Sequence, residues 1–334
     1  MYMETMMAWG IGLATVTDTG RTLDVWYPNP QIGEMPAEGA PETIAPLGAM
    51  EQRDSARRVR TSVVRCVSDL SDHPSSTADA YLRLHLISNR LVLPGTINLD
   101  GIRSRLPTVA WTSVGPCSVD DFEETRFRLR TKFGHPIHMT SVDKFPPMVN
   151  YVVPSDVRIA SATGVRLGAY LAPGTAVTHA GFVNYNAGTL GRATVEGRLA
   201  QGVVVGTGSH IGGGASTLGR IAGTRHESVS VGERCVLGAN SGLGIQLGDD
   251  CVVEAGLFIT SYPRLALMPG GGVLPSSLGT FTEPQMVPAS RLAGASNVLF
   301  RRNSLTGRVE ALARGGKNIV FADGTPLELD VADI

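Results

Sequence analysis

The sequence predicts a mainly β protein: a left-handed parallel β-helix preceded by an N-terminal α/β domain and closed by a small C-terminal β cap. Three observations predict it. Val153, Ile159, Val165, Leu171, Val177 and Val183 form an unbroken apolar row at steps of six. The row slips, then resumes as Val205-Gly206, Ile211-Gly212, Val231-Gly232, Leu237-Gly238, Leu247-Gly248 and Val253-Glu254, ending at Ile259. The chain also holds 40 glycines and only 6% aromatic residues, which suits a thin interior better than a broad aromatic core. A six-residue period fits neither an amphipathic helix nor a hairpin sheet. It fits short parallel strands wound into a triangular prism, one side per hexapeptide and roughly eighteen residues per turn. The branched residue fills the interior, and the small residue beside it lets the chain turn the corner. The left hand is an exception to the usual right-handed crossover.

The elements follow in chain order. Residues 1–150 read as the α/β domain. Residues 9–16 and 22–27 are strands joined by the turn Thr17-Asp-Thr-Gly20, a hairpin stopped by Pro28-Asn-Pro30. Residues 31–56 are rich in Pro, Gly, Ala and Glu and read as a loop; Val63-Val64 begins another strand. A helix is expected over 76–92: Ser76 with Asp79 resembles a capping box, Ala80, Leu84, Ile87 and Leu91 recur at helical spacing, and Pro94-Gly95 ends it. A second helix follows Ser118, with Asp120 and Asp121 at its positive end and Gly134 closing it. Pro146-Pro147 leads into the coil, 151–262, whose segment 219–230 lacks the apolar row and reads as an outward loop. Residues 263–290, with repeated Pro and Gly, read as a loop. Residues 291–334, with strands at 308–313 and 319–321, can cap the coil's open strand edges.

Composition narrows the function. The formal net charge of −1 and scattered basic residues argue against a nucleic-acid partner. No apolar run reaches the length of a membrane span. The segment Met1-Tyr-Met-Glu-Thr-Met-Met7 lacks the basic and apolar regions of a secretory signal. Cys66, Cys117, Cys235 and Cys251 are far apart and show no metal spacing, which predicts reduced thiols in a cytoplasmic protein. Cys235 and Cys251 fall in the coil and read as buried packing.

A lone β-helix has flat sides and no deep pocket. Coils of this shape commonly pair around a threefold axis, and the clefts between them suit a long ligand such as an acyl-CoA. Segments of this chain make that specific. Val195-Glu-Gly-Arg198, Ile211-Gly-Gly-Gly-Ala-Ser216, Leu237-Gly-Ala-Asn-Ser-Gly-Leu-Gly244, Cys251-Val-Val-Glu-Ala-Gly256 and Phe300-Arg-Arg-Asn-Ser304 together resemble the tetrahydrodipicolinate N-succinyltransferase family, in its actinobacterial-type branch. Trp9-Gly-Ile-Gly-Leu-Ala14, Tyr81-Leu-Arg-Leu-His-Leu86, Gly115-Pro-Cys117 and Val142-Asp-Lys-Phe-Pro146 extend the likeness to the N-terminal domain.

The resemblance implies succinyl transfer from succinyl-CoA to tetrahydrodipicolinate, giving N-succinyl-2-amino-6-oxopimelate and CoA, a step towards diaminopimelate and lysine. It implies a homotrimer with small-molecule substrates and no tightly bound cofactor. That chemistry needs a base near the attacking nitrogen and donors for the developing oxyanion. The resemblance places the catalytic carboxylate at Glu196, as general base or as the site of an acyl-anhydride, and an oxyanion donor at the backbone of Gly219. On pattern alone Glu196 is equally a surface carboxylate paired with Arg198. Arg198, Gly213, Ser216, Ala239, Glu254 and Ala255 match acyl-CoA contacts, and Arg301, Arg302, Asn303 and Ser304 match the C-terminal CoA-binding segment. Arg198 suits a succinyl carboxylate because a guanidinium binds both oxygens. Unaided, Ala239 and Ala255 read as packing, and Gly213 and Gly219 as turns.

Departures matter too. Thr163 and Ala180 stand where some relatives carry acidic metal ligands, so no such metal is expected. Tyr262 and Pro288 stand where a Gly and a Lys contacting CoA are expected. Rival readings are a coil acyltransferase with a His base, for which His179 and His210 are the candidates, a γ-type carbonic anhydrase, and a non-catalytic scaffold. The histidines of the coil, His179, His210 and His226, lack the clustering a three-His zinc site needs.

Overall fold

The computed structural model describes residues 6–37, 41–222, 227–268, 284–315 and 317–327. The chain divides into two compact units, one of residues 1–154 with 166–169, the other of residues 155–165 with 170–334.

In the first unit, strand Met7–Thr17 lies between Thr22–Trp26 and Val59–Asp69, antiparallel to both. Gln31–Ile32 and Arg53–Asp54 extend the sheet. The predicted hairpin is there. The third strand starts at Val59, earlier than Val63, because all eleven of its residues pair with the first strand. Helix Thr77–Ser88 packs on this sheet. A methyl group on Gly10 would stand 2.7 Å from the Tyr27 ring and 2.9 Å from Leu82, so bare backbone is what lets ring and helix come this close.

The helix is capped as expected, with the Asp79 N–H donating to Ser76 Oγ. The Asp79 carboxylate reaches back to the Ser75 N–H at 2.8 Å, one residue beyond the predicted box. The helix ends at Ser88, not Val92. Arg90 takes a left-handed φ of 64°, the Arg90 N–H donates to Ile87 and the Leu91 N–H to Leu86, a Schellman closure that leaves Leu91 45% exposed.

Residues 31–56 are not merely a loop. Helix Pro41–Gly48 lies within them, and its Leu47 packs on Ile11; residues 38–40 are outside the described residues. A second sheet has Val109–Thr112 between Gly115–Ser118 and Met139–Asp143. Helix Phe122–Phe133 covers it through Leu129 and ends at Gly134, φ 74°.

The second unit is the parallel coil. Its strands, two or three residues each, stack into three faces. The first holds residues 170–171, 188–189, 204–205 and 230–231. The second holds 158–159, 176–177, 194–195, 210–211, 236–237 and 252–253, and the third 182–183, 198–199, 216–217, 242–244 and 258–260. Inside the second face, Val177, Val195, Ile211, Leu237, Val253 and Phe300 form a column with no solvent exposure. Two threonines interrupt the apolar columns and are satisfied there: Thr189 bonds Thr175 at 2.7 Å, and Thr217 accepts the Ala200 N–H at 3.1 Å. Cys235 and Cys251 are buried as expected.

Register explains why the apolar row slips. Ala176 pairs with Thr194, a turn of eighteen, but Thr194 pairs with His210, a turn of sixteen. The next turn, His210 to Val236, takes twenty-six, because the chain leaves the coil after Thr217 and returns at Ser230. That is the predicted loop, of which residues 223–226 lie outside the described residues. Val153 does not belong to the interior: it is 81% exposed and precedes the first coil strand.

The cap also differs from expectation. Strand Val298–Arg302 lies parallel on Val252–Val253 as a final rung, and Val309–Ala313 runs back along it. Residues 263–290 are more than a loop, since Arg264–Leu267 and Gln285–Pro288 pair antiparallel and Arg264–Leu267 also lies parallel on Val309–Ala313. Residues 269–283 are outside the described residues. Where a strand at 319–321 was expected, only isolated bridges at Val320 form. Among the described residues, no helix is long and apolar enough to cross a membrane.

Candidate active site

Each turn of the coil passes from the second face to the third through a corner. Residues 178–181, 196–197, 212–215, 238–241 and 254–257 supply successive corners on one edge of the prism. Backbone bonds tie the stack: Glu196 N–H donates to Ile211, Gly212 to Leu237, Gly238 to Val253 and Glu254 to Phe300, at 2.8–2.9 Å. Glu196, Gly213, Ala239, Glu254 and Ala255, drawn from four separate motifs, therefore line a single edge. Adjacent coils stand about 4.8 Å apart, so Glu196 and Glu254 are separated by roughly 14 Å along the prism.

The corner at Glu196 is the short one. Other corners on this edge spend four residues, and this one spends two. The two-residue deficit is the slip in the apolar row. Glu196 and Gly197 both donate to the Ile211 carbonyl, at 2.8 and 3.2 Å. A Cβ on Gly197 would stand 2.8 Å from the Gly212 carbonyl oxygen and run into that of Ala215. Only glycine fits so tight a bend, and the bend projects Glu196 off the edge. The carboxylate is half-buried and leans over the next corner, where a Cβ on Gly213 would lie 3.9 Å from Glu196 Oε2. Gly197 is a residue that motif reading passes over, although the slip in the row marks its place. Gly197→Ala is expected to displace the carboxylate and lower kcat about tenfold or more, read by steady-state kinetics beside a melting curve.

Glu196 and Arg198 do not pair. The corner between them puts Arg198 on the third face, and neither side chain has an ion pair among the described residues. Arg198 is exposed and stands directly below Ser216.

Gly219 is not brought to Glu196. It lies at the far side of the third face, where its added Cβ would meet the Gln201 carbonyl at 2.8 Å. About four residues of strand, roughly 13 Å, separate that place from Glu196 in the same chain.

At the top of the edge, Glu254, Ala255, Gly256, Leu257, Arg302 and Ser304 line a shallow cavity of about 290 Å³. The Glu254 carboxylate accepts the Arg302 N–H at 2.6 Å and fixes this segment to the coil. Arg301 and Asn303 point elsewhere: both hydrogen-bond the buried Glu310, at 3.0 and 2.7 Å. Strand alternation explains the split, with Arg302 and Ser304 facing the cavity and Arg301 and Asn303 the cap. Tyr262 is 71% exposed. His179 is exposed on the same edge, one coil below Glu196, while His210 lies on the second face. No group of three metal-capable side chains occurs among the described residues.

Comparison with known proteins places this arrangement. The family model described as tetrahydrodipicolinate N-succinyltransferase middle matches residues 106–146, and that of the hexapeptide repeat of succinyl-transferase matches residues 228–261. A Vibrio cholerae 2,3,4,5-tetrahydropyridine-2,6-dicarboxylate N-succinyltransferase is 38% identical over 340 residues, covering 92% of this chain and 96% of that protein. The Pseudomonas aeruginosa enzyme of the same name is 50% identical over 237 residues, 71% of this chain and 66% of its own length. A solved Campylobacter jejuni structure, described as a 2,3,4,5-tetrahydropyridine-2-carboxylate N-succinyltransferase, superposes with a TM-score of 0.74 at 27% identity, covering 92% of each chain. Likeness over 92% of the chain reaches both units, and the chain belongs to the tetrahydrodipicolinate N-succinyltransferase family.

Proposed function

We propose that this chain moves a succinyl group from succinyl-CoA to tetrahydrodipicolinate, giving, with uptake of one water, N-succinyl-2-amino-6-oxopimelate and CoA. The observation that carries the reading is the short corner holding Glu196 free of any ion pair among the described residues, on the edge that also bears Gly213, Ala239, Glu254 and Ala255.

The roles follow from position. Water first adds across the ring C=N of the acceptor, so that its nitrogen carries a proton and its ring can open to the ketone of the product. That nitrogen attacks the thioester carbonyl and gives up its proton to Glu196. The oxyanion so formed accepts hydrogen bonds, and the CoA thiolate then leaves. Arg198, exposed and without an acidic partner among the described residues, binds the succinyl carboxylate, with the Ser216 hydroxyl one rung above it. The CoA arm climbs the edge past Ala239 to the cavity at Glu254, Ala255, Arg302 and Ser304. Arg301 and Asn303 act through Glu310, shaping that cavity from behind.

The separation of Gly219 from Glu196 supports a shared site. If the Gly219 N–H holds the oxyanion, a second copy of the chain must supply it, as packing of three coils around an axis allows. A homotrimer in the cytoplasm, with succinyl-CoA as co-substrate and no tightly bound cofactor, completes the reading. The test is thiol release from succinyl-CoA with and without tetrahydrodipicolinate. Acceptor-dependent release is expected; its absence from trimeric, folded protein would overturn the assignment.

A further inference from the structure

The outward positions of the third face form one column in strict register. Phe182 pairs with Arg198, Arg198 with Ser216, Ser216 with Gly242 and Gly242 with Phe258. Gly242 leaves a notch in this column, and the Phe258 ring fills it: a Cβ on Gly242 would collide with three atoms of that ring. The ring thus lies flat against the face, above Ser216, instead of standing away from it. Gly244 makes a second notch, and Leu218 folds over that one, 2.9 Å from the space a Cβ would occupy. Even so, Phe258 remains 60% exposed and Leu218 41% exposed. A large ring with one side seated on backbone and the other open is a preformed apolar contact, and it loses little rotamer freedom on binding.

The position in the coil gives that contact its occupant. Phe258 directly follows the corner 254–257, whose residues line the upper cavity with Arg302 and Ser304. Its ring reaches down towards the level of Ser216. A ligand with its thioester beside Glu196 and Arg198 and its far end at Arg302 must pass this rung. We propose that Phe258, seated on Gly242, is a substrate-contacting residue that carries the apolar middle of the acyl-CoA arm and sets affinity for CoA. This inference rests on the succinyl-CoA reading above.

The test separates the two. Binding of CoA alone is measured by calorimetry on the wild type, Phe258→Ala, Phe258→Leu and Gly242→Ala, with light scattering and melting curves on each. Phe258→Ala is expected to weaken CoA binding about tenfold and to raise KM for succinyl-CoA equally, leaving kcat and KM for the acceptor within twofold. Phe258→Leu restores part of the loss. Gly242→Ala, which unseats the ring without removing it, is expected to weaken CoA binding as well. Unchanged CoA affinity in Phe258→Ala, with a wild type that binds CoA, overturns this inference alone. A wild type that binds no CoA overturns the succinyl-CoA reading together with it. Dissociation of Phe258→Ala into smaller species would instead make the ring part of a contact between copies, and would also overturn the proposal.

Discussion

Glu196→Ala is expected to lower kcat for succinyl transfer by about two orders of magnitude or more, the usual cost of losing a positioned general base. KM for succinyl-CoA should change little, because the proposed CoA contacts lie higher on the edge, at Ala239, Glu254, Ala255 and Arg302. The oligomeric state should not change, since Glu196 makes no side-chain hydrogen bond or ion pair among the described residues and its backbone bond to Ile211 survives the substitution. His179→Ala is the matched control. That imidazole is exposed on the same edge one coil below, so it is the group a His-dependent mechanism would use. The expected result is a wild-type rate for His179→Ala and a collapsed rate for Glu196→Ala. Equal rates for Glu196→Ala and the parent would remove Glu196 from the chemistry, and a loss confined to His179→Ala would move the base to the imidazole.

Much of this was legible in the chain because a coil has one dominant constraint. Each interior position must be small enough to fit and branched enough to fill, and that requirement recurs with every side. Val177, Ile211, Leu237 and Val253 could therefore be read from spacing, and they lie in one buried column. Val153 failed because spacing continues past the point where the chain enters the coil; nothing in a valine says which side of the boundary it occupies. The strands within 263–290 failed for a related reason. Arg264–Leu267 is held between Gln285–Pro288 and a distant strand, Val309–Ala313, and Pro288 sits at the end of the edge strand, where its missing N–H costs nothing.

The site was legible as a set of motifs but not as a shape. Motifs named Arg301 and Asn303 alongside Arg302 and Ser304, but only alternation along the strand, together with the buried Glu310, separates the two pairs. The same limit applies to Gly219. Sequence places it twenty-three residues from Glu196, and in a coil that number says little until the register shows which corner each occupies.

The largest stability effect is expected in the first unit, at Asp79. Helix Thr77–Ser88 is unusual for a helix on a sheet in carrying Asp79, Arg83 and His85 inward, all buried. Arg83 is saturated: it bonds Asp79 through Nε at 2.8 Å and also reaches Ser68 Oγ and the carbonyls of Asp69, Leu70, Asp72 and Asn98. It thereby ties the helix to the strand Val59–Asp69 and to the segment that follows the helix. Asp79→Asn keeps the shape and removes the countercharge, stranding a buried guanidinium. The expected loss is about 3–5 kcal/mol, the range for breaking a buried pair from one side.

Trp9, Trp26 and Trp111 all lie in this unit, so tryptophan fluorescence during urea unfolding reads it directly. The pH dependence supplies a second reading. Burial alone would raise the Asp79 carboxyl, but Arg83 and the Ser75 N–H outweigh it and hold the group below the usual carboxylate range. A depressed carboxylate contributes stability that is complete above its unfolded pKa and is lost as pH falls through the folded one. Burial depresses His85 to about 4, keeping it neutral so that Nδ1–H donates to the Tyr81 carbonyl while Nε2 accepts the Tyr27 N–H. Its contribution fades as pH falls from the ordinary imidazole range towards 4. The wild type should therefore lose stability in two stages on acidification, first through His85 and then through Asp79. Asp79→Asn should start several kcal/mol lower at neutral pH, keep the first stage and lack the second. An Asn variant as stable as the parent at pH 7 would show that the guanidinium is satisfied by backbone carbonyls alone, and that the carboxylate is dispensable to the fold.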